Sequence, residues 1–358
     1  MKKYIFFFAA AAALAGCSKN EVTPDFSNEN AEIAYNVAPK TKALSGTQKD
    51  FDHANVFTSY AYYLAPGKTW DANFEESKPY IEASEISYVG ELWKNAHKTY
   101  YWPKDGGSLT FFSYSLNKPN MDFSDGQSGM GIAITKDTDG SFIGGVNGSF
   151  DVQRLKNVDF LVADIAKDQT NNVTTYAHSG VPTLFRHKLS QVQFTAKLQE
   201  HYDSKTFTVN DIQFLQLGHY ASYSQFPEKW SELQSTAIDQ QYAVNANQVI
   251  NEKSRDVITP IINNKAGTKQ DDGQYIYLPH VFGDNDYLQI DYTVTTLVGT
   301  KEVVENCTEK IQVNKIFKKW EIGKKYVFDI TFSLNEIHWD PAVEDWTTET
   351  AGSITIDK

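Results

Sequence analysis

Chemistry in this chain starts with a thiol. Cys17 follows Leu14-Ala15-Gly16, and ahead of these lie a basic start, Met1-Lys2-Lys3, and an apolar run from Tyr4 to Ala13. The run is too short to span a bilayer, and with small residues before the cysteine it reads as a secretory signal over residues 1–16. Leu-Ala-Gly-Cys is the pattern read by bacterial lipoprotein signal peptidase, so Cys17 is expected to become a diacylated N-terminus. Two acyl chains anchor a protein stably where one does not. An ordinary secreted precursor would leave Cys17 without that role, but residue type and position favour the lipid.

Other reactive side chains fall into weaker patterns. Asp137-Thr138-Asp139-Gly140 has part of a calcium loop, yet Thr135 stands where the first ligand belongs and Val146 where the closing glutamate belongs, so a hairpin turn is expected. Asp284 and Asp286 around Asn285 could face a hard cation, but a polar turn between strands is the commoner use. His53, His97, His178, His187, His201, His219, His280 and His338 show no spacing that would bring two onto one metal, and surface or interface roles are expected. Cys307 has no basic residue closer than Lys310 to lower its pKa, and no nucleophile elbow or phosphate-binding loop occurs. Nothing here predicts an enzyme, a metal site or a cofactor. Tyr220, Tyr223 and Phe226, in an expected loop, are the candidates for an aromatic platform that stacks on sugar.

Charge excludes further classes. The formal net charge is -12, and loss of Lys2 and Lys3 with the leader makes it -14, a surface that repels nucleic acid. Of the 2 cysteines, Cys17 is assigned to lipid, so Cys307 has no intrachain partner and the fold must rest on its core rather than on disulfides.

The elements that would position these groups are strands. Residues 18–32 are polar, as a flexible tether is, and Ile33, Tyr35 and Val37 then alternate with Ala34 and Asn36 in a short strand set apart from the body. From Phe51 onward period-2 alternation dominates: Val192, Phe194, Ala196 and Leu198; Leu288, Ile290, Tyr292 and Val294; Tyr326, Phe328, Ile330 and Phe332. Val158 to Ile165 is more continuously apolar and predicts a strand covered on both faces, and Glu228 to Gln241 has room for a short helix. Turn signals such as Asp105-Gly106-Gly107 and Gly283-Asp284-Asn285-Asp286 separate the runs. The pattern predicts an all-β sandwich protein, with a tether and first strand over 17–50, an N-terminal domain over 51–182 and a C-terminal domain over 183–358.

Four stretches carry a resemblance: Tyr101-Trp102-Pro103-Lys104-Asp105-Gly106-Gly107-Ser108-Leu109-Thr110-Phe111-Phe112-Ser113-Tyr114; Asp159-Phe160-Leu161-Val162-Ala163; Leu184-Phe185-Arg186-His187-Lys188-Leu189-Ser190; and Trp320-Glu321-Ile322-Gly323-Lys324-Lys325-Tyr326 with Trp339-Asp340-Pro341. In this order, behind a lipoprotein signal, they resemble the fimbrillins, the type V pilin superfamily of Bacteroidota. The resemblance implies two tandem transthyretin-like β-sandwich domains and a structural subunit of a cell-surface fimbria that contributes to adhesion. It also implies export as an outer-membrane lipoprotein and assembly with other fimbrial subunits.

In stalk subunits of that family a protease cuts after a basic residue behind the first strand, and a C-terminal strand from a neighbour fills the groove left open. Carried over by the resemblance, Ile33, Tyr35 and Val37 belong to the removable strand and Lys42-Ala43 is the cleavage site, with lysine where arginine is usual. Ile354 and Ile356 belong to the candidate donor strand, with Val343 and Trp346 as further pocket fillers; the same tail could equally be the last strand of its own domain. The runner-up reading is a lipid-anchored anchor subunit, or a monomeric surface lipoprotein that binds a glycan or an envelope partner.

Overall fold

The computed structural model describes residues 31–37, 51–116, 127–152, 158–171, 180–215, 217–231, 242–253, 255–258, 274–334 and 337–345. The first half runs through β1 (Tyr35–Val37), β2 (Phe57–Leu64), one turn of helix α1 (Trp70–Asn73), β3 (Lys78–Val89), β4 (Leu92–Lys94) and β5 (Ser108–Ser115). It continues through β6 (Gln127–Lys136), β7 (Phe142–Asp151), β8 (Leu161–Ala163), β9 (Ala166–Gln169) and β10 (Val181–Thr183). The second half begins with β11 (Phe185–His187), β12 (Ser190–Leu198), β13 (Lys205–Leu215), β14 (Tyr220–Phe226), β15 (Lys229–Trp230), β16 (Tyr242–Ile250) and β17 (Asp256–Val257). It ends with β18 (Gln274–Tyr277), β19 (His280–Val281), β20 (Tyr287–Val298), β21 (Lys301–Gln312), β22 (Lys319–Trp320), β23 (Lys324–Phe332) and β24 (Ile337–Asp345).

Alternation along each strand sets which residues meet. Val192, Phe194, Ala196 and Leu198 of β12 face Phe207, Val209, Ile212 and Phe214 of β13 in one core, to which Tyr326, Phe328, Ile330 and Phe332 of β23 also contribute. That core lies between a sheet of order β17-β12-β23-β24, with β18 beside β12, and a sheet of order β16-β13-β20-β21. The pairing of β12 with β23 is parallel, from Gln191 opposite Lys325 to Leu198 opposite Phe332. Parallel neighbours need a long crossover, and here more than a hundred residues of sandwich supply it.

The other half is organised by one large sheet, β10-β1-β4-β3-β2-β5-β8-β11, with β9 beside β5. Every residue of β5 is buried, because its two faces serve two cores. Phe112 and Tyr114 point into a core shared with the sheet β15-β14-β7-β6, through Phe142, Val146, Phe150 and Tyr223. Leu109 and Phe111 point the other way, into a core with Phe57, Ile81, Ile86, Trp93 and Phe185.

The division of the chain expected between 182 and 183 is crossed by three strands: β11 pairs antiparallel with β8 in the large sheet, and β14 and β15 join the smaller one. Residues of β14 pair antiparallel with β7, from Tyr220 opposite Asp151 to Phe226 opposite Gly144, and β15 completes the same sheet. Several local expectations also change. Val158 to Ile165 yields only the three-residue β8, and Asp164 just beyond it accepts from Arg186 Nε and Nη2 at 2.6 and 2.7 Å. In the segment expected to be helical, Lys229–Trp230 is strand, and residues 232–241 lie outside the described ones.

Candidate strand-acceptor groove

The short strand β1 does not stand apart from the body; it lies inside the large sheet. It runs parallel to β10, with Tyr35, Asn36 and Val37 opposite Val181, Pro182 and Thr183, and antiparallel to β4, with Tyr35 opposite Trp93. Hydrogen bonding extends upstream: the Ile33 amide donates to the Tyr100 carbonyl at 2.8 Å, Trp102 N–H to Ala31 O at 3.1 Å, and Val181 N–H to Ala34 O at 2.8 Å. A Lys94 to Glu32 ion pair at 3.2 Å adds a contact at the surface.

Alternation places the side chains. Ile33 and Tyr35 are 3% and 4% exposed, and Val37 is half-buried at the end of the same row. The Tyr35 ring meets the edges of Phe57 at 5.3 Å and Phe111 at 5.8 Å between centroids. Phe51, Phe57, Trp93 and Phe185 close the trough around it through stacked and edge contacts. Burial pushes the Tyr35 phenol well above the ordinary tyrosine pKa, against a smaller lowering from Ser59. Filling such pockets stabilises by roughly 1.5 to 3 kcal/mol per large side chain.

Gly180 is part of the groove wall. Its φ is +117°, and a Cβ there would sit 3.1 Å from the Ala34 oxygen and 3.2 Å from the Asn36 nitrogen, so glycine lets β1 and β10 approach. No local period in the sequence reports that Gly180, Trp93, Val181 and Phe185 gather around β1, because each contact is long-range.

Cys17, Lys42, Ala43, Ile354, Ile356 and Trp346 lie outside the described residues. The link from β1 to β2 runs through residues 38–50, which include Lys42. Val343 sits on β24 opposite Tyr326 and is 53% exposed.

The remaining candidates are drawn into structure. Asp137 to Ser141 form the β6–β7 turn, where the Asp137 and Ser141 backbones bond at 2.9 Å and the Asp139 carboxylate accepts from Ser141 N–H at 2.8 Å. Asp286 accepts from Gly283 N–H at 2.7 Å and meets His280 Nε2 at 3.1 Å, while Asp284 accepts from the Asn314 amide at 2.8 Å. Two histidines expected at the surface are in the interior instead: His187 pairs with Asp159 at 2.7 Å and His219 with Asp151 at 3.0 Å. Tyr220, Tyr223 and Phe226 belong to a strand rather than a loop, and Tyr223 is buried against Phe160 and Trp230, which removes it from any sugar platform. Cys307 is partly buried against the C-terminal core; burial first, and Cys307 second, push the Tyr292 phenol up to about 12.

Among the described residues no group of histidine, cysteine and carboxylate side chains could hold a metal, and no helix is long and apolar enough to cross a membrane. No protein of curated function matches the sequence. Residues 1–18 match the prokaryotic membrane lipoprotein lipid attachment site, which marks the chain as a lipoprotein. A fimbrial protein from Bacteroides vulgatus has a similar structure, with a TM-score of 0.59 at 16% identity over 88% of this chain and 99% of that one. A candidate cell adhesion protein from Bacteroides uniformis aligns with a TM-score of 0.45 at 16% identity, over 88% of this chain and 98% of that one. The model of the fimbrillin-like family matches residues 41–346, which span every described strand but β1. With that match over most of its length and a fold shared with a fimbrial protein, the chain belongs to the fimbrillin-like family, whose members are structural rather than enzymatic.

Proposed function

We propose that this protein is a subunit of a cell-surface fimbria that is exported as an outer-membrane lipoprotein through Cys17 and assembled by strand complementation to serve adhesion. In this reading, cleavage after Lys42 releases the segment carrying Ile33, Tyr35 and Val37, and a tail carrying Ile354 and Ile356 from a neighbouring subunit takes its place. The observation that carries it is the position of β1: a three-residue strand between β4 and β10 whose side chains fill the core. Its departure would leave two rows of backbone groups and an apolar trough, which an extended segment satisfies with main-chain bonds and side chains in pockets. Such a contact is heterologous and does not close on itself, so it propagates as a filament.

The test is Lys42→Ala in the producing cells. The variant is expected to fold, reach the surface with its lipid and fail to form denaturant-resistant ladders, and deletion of residues 352–358 is expected to fail likewise. Normal ladders from both variants would defeat the reading. The second reading, an anchor subunit that keeps β1, is favoured by lysine at 42 where an arginine-specific protease would need arginine. N-terminal sequencing separates the two: Ala43 as first residue marks the polymerising form, a blocked Cys17 on all copies the anchor.

A further inference from the structure

A second, smaller site is built on the outside of the same sheet. The Asp105-Gly106-Gly107 turn, ahead of β5, folds back on β2 so that the Asp105 carboxylate accepts from the Tyr63 hydroxyl through one oxygen and from the Gly107 amide at 3.0 Å through the other. A Cβ at Gly107 would lie 2.2 Å from the Tyr63 ring, so this glycine is what allows the ring to settle there. Tyr80, on β3, stands beside it with ring centroids 6.5 Å apart and planes 29° from parallel, its hydroxyl fixed on the Tyr101 carbonyl at 2.7 Å. Tyr80 is nevertheless 37% exposed, and the two rings border a cleft of about 530 Å³, within the size range of small-molecule sites.

Two cations and one anion line the cleft. Lys78 and Lys104 line it and are exposed, and neither has a carboxylate partner among the described residues. Asp105 is held by the turn, and the Tyr63 hydroxyl lowers its pKa, so it stays anionic and offsets one of the two lysines, leaving the lining positive by one charge. On a chain of net charge -12, two ammonium groups beside fixed aromatic rings select a ligand that is apolar on one face and anionic at its edge. A pyranose ring bearing a carboxylate has that shape: its axial C–H bonds lie on aromatic faces while the acid reaches the lysines.

We propose that this cleft binds an acidic saccharide unit, a uronic or sialic acid residue of a surface glycan. The proposal deepens the adhesion part of the fimbrial reading by naming a ligand class, and it does not depend on strand exchange.

The test is calorimetric titration of the detergent-solubilised full chain with sialyllactose and trigalacturonate, with neutral lactose as the comparison. At least one acidic probe is expected to bind about tenfold or more tightly than lactose, the scale of a charge-assisted contact. Tyr80→Ala is expected to weaken that binding about tenfold while Tyr80→Phe, which keeps the ring, retains it. Lys104→Ala should erase the preference for acid and Lys104→Arg should keep it, with thermal midpoints unchanged in all four variants. Equal binding of lactose, indifference to Tyr80→Ala, or no binding of either acidic probe would overturn the assignment. Ladder formation is scored on the same variants: intact ladders without sugar binding count against this cleft alone, and sugar binding without ladders counts against the fimbrial reading alone.

Discussion

Tyr35 is the residue on which the retained strand turns. It is buried, it contacts Phe57 and Phe111 edge-on, and it opens a strand only three residues long. Truncating a large aromatic in a packed core costs about 3–5 kcal/mol, so Tyr35→Ala should lower the thermal midpoint and expose the trough to an apolar dye, without changing β12 or β23. Titration supplies a second check. Burial raises the phenols of Tyr35 and Tyr277, and that of Tyr292 to about 12, above the roughly 10 of an unfolded tyrosine. A group whose folded pKa is raised contributes stability below its unfolded pKa and loses it as pH climbs through the folded value. Stability should therefore change little for this reason below about pH 9 and fall above about pH 10. Replacing Tyr35 or Tyr277 by phenylalanine should flatten the fall when thermal midpoints are followed across that range, and an unchanged alkaline profile in both variants would refute the assignment.

At the scale of the element, β1 is held as much by a glycine as by its own side chains. Gly180→Val places a branched side chain at a φ of +117° and against the Ala34 and Tyr35 backbone, so β1 and β10 must separate or the backbone must deform. Strain of this kind costs on the order of 1–3 kcal/mol. The expected outcome is faster hydrogen exchange at the amides of residues 33–37, with protection in β12, β13 and β20 unchanged; uniform loss of protection would mean that the glycine supports the whole fold instead. The other informative element is the β14–β15 hairpin, whose Ala221 and Tyr223 are buried in a core otherwise furnished mainly by the first half of the chain.

That hairpin decides how the whole molecule divides. A fragment ending at residue 182 keeps most of the large sheet but loses its edge strand β11 and the end of β10, along with β14 and β15, so β7 acquires a bare edge beside Phe150 and Phe160. Such a fragment is expected to aggregate on gel filtration, while one extended to residue 231 should retain more order; a monomeric, cooperatively melting 31–182 fragment would contradict the crossing seen here.

By itself the sequence determined the lipoprotein signal over residues 1–18, since a signal peptidase reads a short linear pattern, and the all-β class, since period-2 alternation is a local property of the chain. Val192 to Leu198, Leu288 to Val294 and Tyr326 to Phe332 could be assigned as strands with the correct face inward for that reason. Alternation reports which face a strand buries but not which strand lies beside it. Only the tertiary structure put β1 between β4 and β10, ran β12 parallel to β23, and handed β14 to a sheet built mostly by the other half. It also moved His187 and His219 inward beside Asp159 and Asp151, and took Tyr223 out of contention while bringing Tyr63 and Tyr80 together at the surface. Each of these depends on contacts between residues far apart in the chain, where closure of long loops and the filling of shared cores, not local preference, select the partner.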